Sequence, residues 1–442
     1  MQVLFSSQSA RRAYEEKCRQ TLGIGLKETA MYASWRALDP GEGADIDSRY
    51  ASLPILTKAD IRGSFPYGLV PRGLDLDAAL ARAEVSFIKT SGTAAEALIN
   101  VWNQAWWDAS ERASWRLNSA ASRAATGSHR EAILASALSV GPRSDGPELG
   151  REERTLERFL FLNEYGSTEQ WPEGHEGRIL SELASYAPPV LEANPSLLAR
   201  VARWALRSGR AAFQPALITL TYEFPSRLQL RDIKRVFDCP IASSYGSTEA
   251  GYVFMECEHG RLHQNSEFCR VDMVPVPGLP PETGRLIVST FGNAWFPLLR
   301  FAIGDLGTVS PVPCPCGRRT GITLSAIEGR TISLCRAADG RLVTHGDIDR
   351  ALAAIDGLSE YRLDQDSPGE VRLRAVAAGR GEDGVRADVL GALAALFGAD
   401  TRVEVDMTDR LSPESSGKFL LVKRAFPIAL EAPVPEEITR EK

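Results

Sequence analysis

Apolar positions along this chain recur with a helical period in some stretches and alternate as strands in others. The switch between the two marks its layout. Residues 1 to about 80 read as helical with loops, and Thr57, with Asp60 three residues on, predicts a capped helix start. Val85-Ser-Phe-Ile88 reads as a short strand running into Lys89-Thr-Ser-Gly-Thr93, after which Ala94 to about Trp107 follows a helical pattern. Residues 108–165 are polar and rich in Arg, Ser and Gly around Gly141-Pro-Arg-Ser-Asp-Gly146, which predicts a loop or irregular insertion. Strand–helix alternation then returns. Leu217-Ile-Thr-Leu-Thr221 is a strand, Ser226 to Phe237 a helix and Pro240 to Tyr245 a strand, an order that predicts βαβ units and a mostly parallel sheet.

Past Gly251 the pattern changes to short strands and hairpin turns, with Phe254 to Cys257 turning at 258–261 into Leu262 to Phe268. Gly284 to Thr290 and Gly307 to Val309 continue it. From about 331 the segment is compact and mixed. Asp339-Gly340 signals a hairpin, Gly346 to Ile355 a helix, Val371 to Val376 a strand. Val389, Leu390, Leu393, Leu396 and Phe397 fit one helix face, and Thr401 to Val405 alternates again. The expected fold class is α/β. A large N-terminal domain (1–330) has mostly parallel sheets flanked by helices plus a β-rich subdomain, and a small mobile α+β domain follows (331–442).

At 442 residues the chain exceeds one ordinary core, in keeping with two or three domains. A hydrophobic content of 44% and a charged content of 24% suit a soluble globular protein. The formal net charge of −6 argues against nucleic-acid or acidic-membrane partners, which call for a basic patch. No apolar run approaches the roughly 20 residues that span a bilayer, and the N-terminus lacks the features of a signal peptide, so a cytoplasmic location is expected. The seven cysteines are odd in number and unevenly placed, which favours thiols and a metal over disulfides.

The densest chemistry lies in Ile241 to Met255. A short apolar run delivers Tyr245-Gly246-Ser247-Thr248-Glu249 into a loop. The ring there can stack on a base, the hydroxyls can reach phosphate and the carboxylate can hold Mg²⁺. This string resembles the Tyr-Gly-x-Thr-Glu motif of the adenylate-forming enzymes (acyl-CoA synthetases, luciferases and peptide-synthetase adenylation domains). Other motifs of that superfamily follow in order. Thr90-Ser91-Gly92-Thr93 resembles its phosphate loop, though Ala94-Ala95-Glu96 replaces the usual further Thr-Gly and Lys. Pro297 to Gly307 resembles the block whose carboxylate, here Asp305, accepts both ribose hydroxyls. Ile327-Glu-Gly-Arg330 resembles the close of the large domain, with Arg330 reaching ribose or phosphate and Thr331 where an Asp usually marks the hinge. Leu411 to Arg424 resembles the terminal Ser-Gly-Lys loop, so Lys418 is the expected catalytic lysine and Lys423 its competitor.

Cys257 and His263 flank the turn 258–261, and Cys314-Pro-Cys316-Gly317 forms a knuckle. Together they supply a Cys₃His set for structural zinc, with His259 as an alternative ligand and Cys269 and Cys335 left for packing. The same hairpin and knuckle (254–317) resemble the phenylacetate-CoA ligase branch. The resemblance implies a carboxylate activated by ATP as acyl-AMP, with Lys418, Glu249 and Thr248 catalytic and Glu249 on Mg²⁺. Transfer to a thiol follows, foremost that of coenzyme A. A carrier-protein thiol or an amine is the alternative acceptor, a degenerate binding scaffold is the alternative of another class, and a homodimer is left open. Phe224, Tyr245, Gly246 and Tyr252 suit a small aryl or similarly flat acid.

Overall fold

The computed structural model describes residues 5–90, 98–379 and 381–430, so Ser91, Gly92 and Thr93 of the expected phosphate loop lie outside the described residues. Among the described residues the largest sheet has twelve strands. Its antiparallel half runs Cys269–Pro275, Thr283–Thr290, Phe301–Val309, Thr323–Arg330, Leu262–Gln264, Gly251–Glu256 and Ile241–Ser247. From Ile241–Ser247 it continues in parallel through Leu217–Leu220, Val190–Ala193, Glu131–Leu134 and Phe159–Phe161, with the short Thr155–Leu156 antiparallel at the edge. The strand that carries the Tyr-Gly-Ser-Thr-Glu string therefore sits where parallel pairing gives way to antiparallel.

Side-chain alternation decides which helices cover which face. Leu191, Ala193, Ile218 and Leu220 pack with the helices His175–Tyr186 and Pro195–Ser208. Their neighbours Leu217 and Ala242 point the other way, onto the helix Ser119–Ala124. Asn194 and Ser226 cap the helices Pro195–Ser208 and Arg227–Lys234, the second through a capping box with Gln229. Thr57 caps its helix as expected, and Asp60 returns the bond to complete a capping box.

Two expectations are corrected. The helix expected from Ala94 to about Trp107 does not extend through residues 98–103. Ser86–Lys89 pairs antiparallel with Ile99–Trp102, and Thr90 closes the hairpin by donating its N–H to the Leu98 carbonyl and accepting the Leu98 N–H on Oγ1, both at 2.8 Å. The helix starts only at Gln104, capped by Asn103. Leu98 and Val101, three apart, fit a helix stripe as well as they fit this strand, and pairing with 86–89 settles the choice. Nor is 108–165 an irregular insertion. It supplies two helices and the wholly buried strand Glu131–Leu134. Charges mislead here because they are buried in pairs: Arg154, 1% exposed, donates to Glu182 at 2.9 and 2.5 Å.

The last part has its own core. Strands Arg402–Met407, Glu370–Ala377, Leu358–Ser367 and Val422–Arg424 form a four-stranded sheet with the helices His345–Ala353 and Glu382–Phe397. Asp339-Gly340 turns the small hairpin Cys335–Arg336 to Leu342–Val343. Cys269 and Cys335 are fully buried packing residues, as expected. The α/β architecture matches the expected class. Among the described residues no helix is long and apolar enough to cross a membrane.

Candidate active site

The strand Ile241–Ser247 turns back through Thr248, Glu249 and Ala250 into Gly251–Glu256. Two glycines make that return: a Cβ on Gly246 would stand 2.1 Å from the Gly251 carbonyl oxygen, and Gly251 takes φ +71°. The turn drives the Glu249 side chain inward. It is 4% exposed, its Oε1 has no hydrogen-bond partner, and Lys58 Nζ lies 3.6 Å from that oxygen.

Strand pairing sets Asp305 opposite Arg330. Tyr245 donates its hydroxyl to Asp305 Oδ2 at 2.7 Å, and Arg330 Nε lies 3.7 Å from Oδ1. Burial pushes the Asp305 carboxyl up, opposed by Arg330 and by the Tyr245 hydroxyl. Burial also pushes Tyr245 well above its ordinary value.

The Ser-Gly-Lys loop arrives from the C-terminal part of the chain. Glu414 accepts the Gly417 N–H and donates its own N–H to the Lys418 carbonyl, each at 2.8 Å, which makes a tight turn. Gly417 takes φ +76° and sits against Ser136 and the Gly166 carbonyl. The Phe419 N–H donates to Glu223 Oε1 at 2.6 Å, while Ser196 holds Glu223 Oε2 at 2.6 Å. Lys418 thereby enters the field of Glu223, Glu249 and Asp305. Burial lowers its ammonium pKa, and these carboxylates oppose the shift. Lys423 is exposed and lies in strand pairing opposite Asp364. Glu249, Asp305, Arg330, Tyr245 and Lys418 are thus brought to one place.

Not every expected pocket residue joins them. Phe224 packs its ring on His345, 4.3 Å between centroids, whereas Tyr252 packs on Trp107 at 4.9 Å and donates to Glu111. Lys58 and Glu223 escaped sequence reading. Lys58 is the first residue of the capped helix Lys58–Ser64, and Glu223 follows a strand end, so the signal for each was position beside an element boundary.

Cys257, His263, Cys314 and Cys316 place their ligand atoms within 4.8 Å of one another. Cys257 Sγ is 3.6 Å from Cys314 Sγ, and Cys316 Sγ is 3.2 Å from His263 Nε2. Zinc–sulfur bonds of about 2.3 Å in a tetrahedron make edges of about 3.7 Å, close to those separations. Thr323 Oγ1 lies 3.3 Å from His263 Nδ1 and so orients the ring, and burial lowers the imidazole to about 4, which keeps it neutral. His259 is exposed in the turn and offers only its backbone N–H, to Cys257 Sγ at 3.4 Å.

The fold is one shared with solved acyl-CoA ligases. Among solved structures the chain superposes on 2-hydroxyisobutyryl-CoA ligase in the postadenylation state with R3-HIB-AMP. The TM-score is 0.71 at 15% identity, covering 99% of this chain and 92% of that one. Against an open conformation of the same ligase with 2-HIB-AMP and CoA, the TM-score is 0.58 at 17% identity over 93% and 90% of the two chains. Anthranilate CoA ligase AuaEII with anthranoyl-AMP gives 0.53 at 14% identity over 84% and 74%. Among curated proteins, CapK of Staphylococcus aureus is 25% identical over 181 residues, 40% of this chain and 39% of that protein. No protein-family model matches the chain.

Proposed function

We propose that this chain is an AMP-forming acid–thiol ligase of the phenylacetate-CoA ligase-like branch, which activates a small flat carboxylic acid and passes it to coenzyme A. One observation carries the reading: Lys418, remote in sequence, is held among Glu249, Asp305 and Arg330. A lysine buried among acids on a glycine-bearing loop serves charge that develops during reaction, for which a binding scaffold has no use.

In the first step an oxygen of the acid attacks the α-phosphorus of ATP, and the bond to the leaving pyrophosphate breaks. Asp305, already oriented by Tyr245 and Arg330, accepts the ribose hydroxyls. Thr90, Ser91, Gly92, Thr93, Gly246, Ser247 and Thr248 are the donors proposed for the phosphates. Lys418 places its ammonium where the acid oxygen meets phosphorus. The buried Glu249 Oε1, which accepts no hydrogen bond and has the Lys58 ammonium 3.6 Å away, fits a cation, and Mg²⁺ held there would neutralise phosphate charge. The better superposition on a postadenylation structure than on an open one supports a lysine loop seated for this half-reaction. Rotation of the domain that begins near 331 would then open the adenylate to the acceptor thiol. The Cys₃His set fits zinc with all four positions filled by protein, hence a structural role.

Acid-dependent ATP–pyrophosphate exchange in wild type and Lys418→Ala tests the reading. Exchange in the first and its loss in the second is expected; absence of acid-dependent exchange in both proteins refutes catalysis.

A further inference from the structure

Directly behind the motif strand lies a cavity lined by Glu111, Glu131, Glu192, Thr219, Ser244 and Tyr252. Ser244 immediately precedes Tyr245, and Tyr252 pairs with Gly246, so the cavity and the nucleotide loop share one wall. From the proposed ligase activity, on which the inference rests, we infer that this cavity, with free space of about 10 Å³, the size of one water molecule, receives a cationic nitrogen at the far end of the acid, held by Glu111 and Glu192.

The three carboxylates come from separate elements: Glu111 from the helix Gln104–Trp115, Glu131 and Glu192 from neighbouring parallel strands. Glu131 already has its countercharge, with Arg158 Nη1 at 3.3 Å and His129 Nε2 at 3.1 Å. Glu111 and Glu192 form no ion pair among the described residues, and Arg158 acts on Glu111 only as a minor, more distant charge. Among the described residues each is held by a tyrosine hydroxyl at one oxygen, Tyr252 to Glu111 at 2.9 Å and Tyr222 to Glu192, with the second oxygen left over. The arrangement is maintained at a cost, since Tyr222 sits at φ +73°, where a bulky side chain is strained.

Ser244 points independently to a ligand. It is 8% exposed, lines the cavity, and its hydroxyl has no hydrogen-bond partner among the described residues. An incoming N–H donor would give that hydroxyl the partner it lacks. Burial, with the like charge of Glu131, pushes Glu111 to about 7 and Glu192 to about 8, so near neutrality both carry protons far more often than an ordinary glutamate, and a cation would displace them. A plain hydrocarbon or unsubstituted ring would leave every one of these groups unmatched. The flat body of an acid has its own wall in Tyr252 and Trp107.

The test is acid-dependent ATP–pyrophosphate exchange on the full chain with matched probes, 4-(aminomethyl)benzoate, 4-(hydroxymethyl)benzoate and 4-methylbenzoate, beside 5-aminopentanoate and pentanoate. The amine of each set is expected to exceed its neutral partners at least tenfold in kcat/KM. In Glu192→Gln and Glu111→Gln, isosteric changes whose folding is checked by thermal unfolding, that preference ratio should fall towards one. Neutral acids equal to or better than the amines in wild type overturn the cation assignment and leave the ligase reading standing. Exchange with none of the acids overturns the ligase reading itself, and this inference with it.

Discussion

Replacing Gly417 by alanine tests whether the lysine loop must seat against the N-terminal part for adenylation. Alanine in the left-handed region costs about 1–2 kcal/mol. Its Cβ would also stand 2.2 Å from Ser136 Oγ and 2.8 Å from the Gly166 carbonyl oxygen. Ser136 cannot simply turn aside, because its hydroxyl donates to that same carbonyl at 2.8 Å; displacing it gives up a hydrogen bond of about 1 kcal/mol. The sum, about 2–3 kcal/mol, falls on the seated arrangement, and at 1.36 kcal/mol per decade it predicts a roughly 30- to 150-fold loss of ATP–pyrophosphate exchange. Thioester formation from supplied acyl-adenylate, which does not require the seat, should lose far less. Adding Ser136→Gly removes the nearer colliding atom but neither the contact with the Gly166 carbonyl nor the loss of the hydrogen bond, so it should recover only a small part of the activity. Exchange in Gly417→Ala within threefold of wild type would refute the seating argument, as would equal losses in both half-reactions.

Other outcomes follow from the same geometry. Lys418→Ala is expected to lose about 10²–10³-fold in exchange with ATP binding retained, whereas Lys423→Ala, altering an exposed lysine, should stay near wild type; equal losses would move the catalytic charge elsewhere. Burial raises the Asp305 carboxyl, and its ionised form is the proposed ribose acceptor, so ATP affinity should climb with pH through a limb above the ordinary carboxylate range. Asp305→Asn should bind weakly with that limb gone, which calorimetric titration at several pH values would check. Metal analysis should find one zinc per chain, and Cys314→Ser should lower both zinc content and thermal stability; full stability without metal would sink the zinc site. Glu360 accepts from Arg200 at 3.1 Å and pairs with Arg203, joining the C-terminal sheet to the helix Pro195–Ser208. Glu360→Gln should therefore slow exchange more than thioester formation, and the reverse order would show that the pair does not hold the adenylating arrangement.

The groups that carry the candidate chemistry were legible because each lies in a short string whose local conformation already presents it. Tyr245 to Glu249 leaves a strand at a turn, Asp305 and Arg330 occupy one strand pair, and Lys418 follows a glycine. What stayed hidden depends on topology. Nothing near Glu192 or Glu131 announces that parallel pairing sets them on one face of adjacent strands, lining a cavity with Glu111, or that Tyr222 turns its hydroxyl onto Glu192. The stretch containing Glu131 read as a loop because hydropathy scores Arg154 and Glu164 as solvent-facing, although they are 1% and 0% exposed and answered by other buried charges. Recognition strings can be found one at a time, whereas the substrate end of the site is a property of the sheet. The aryl pocket expected from Phe224 and Tyr252 illustrates the difference. Both residues are aromatic and close to the motifs, yet the fold sends Phe224 to His345 and leaves Tyr252 facing a carboxylate. The same fold that gathers the proposed nucleotide residues therefore adds a charged far end to the flat acid that its aromatic residues suggest.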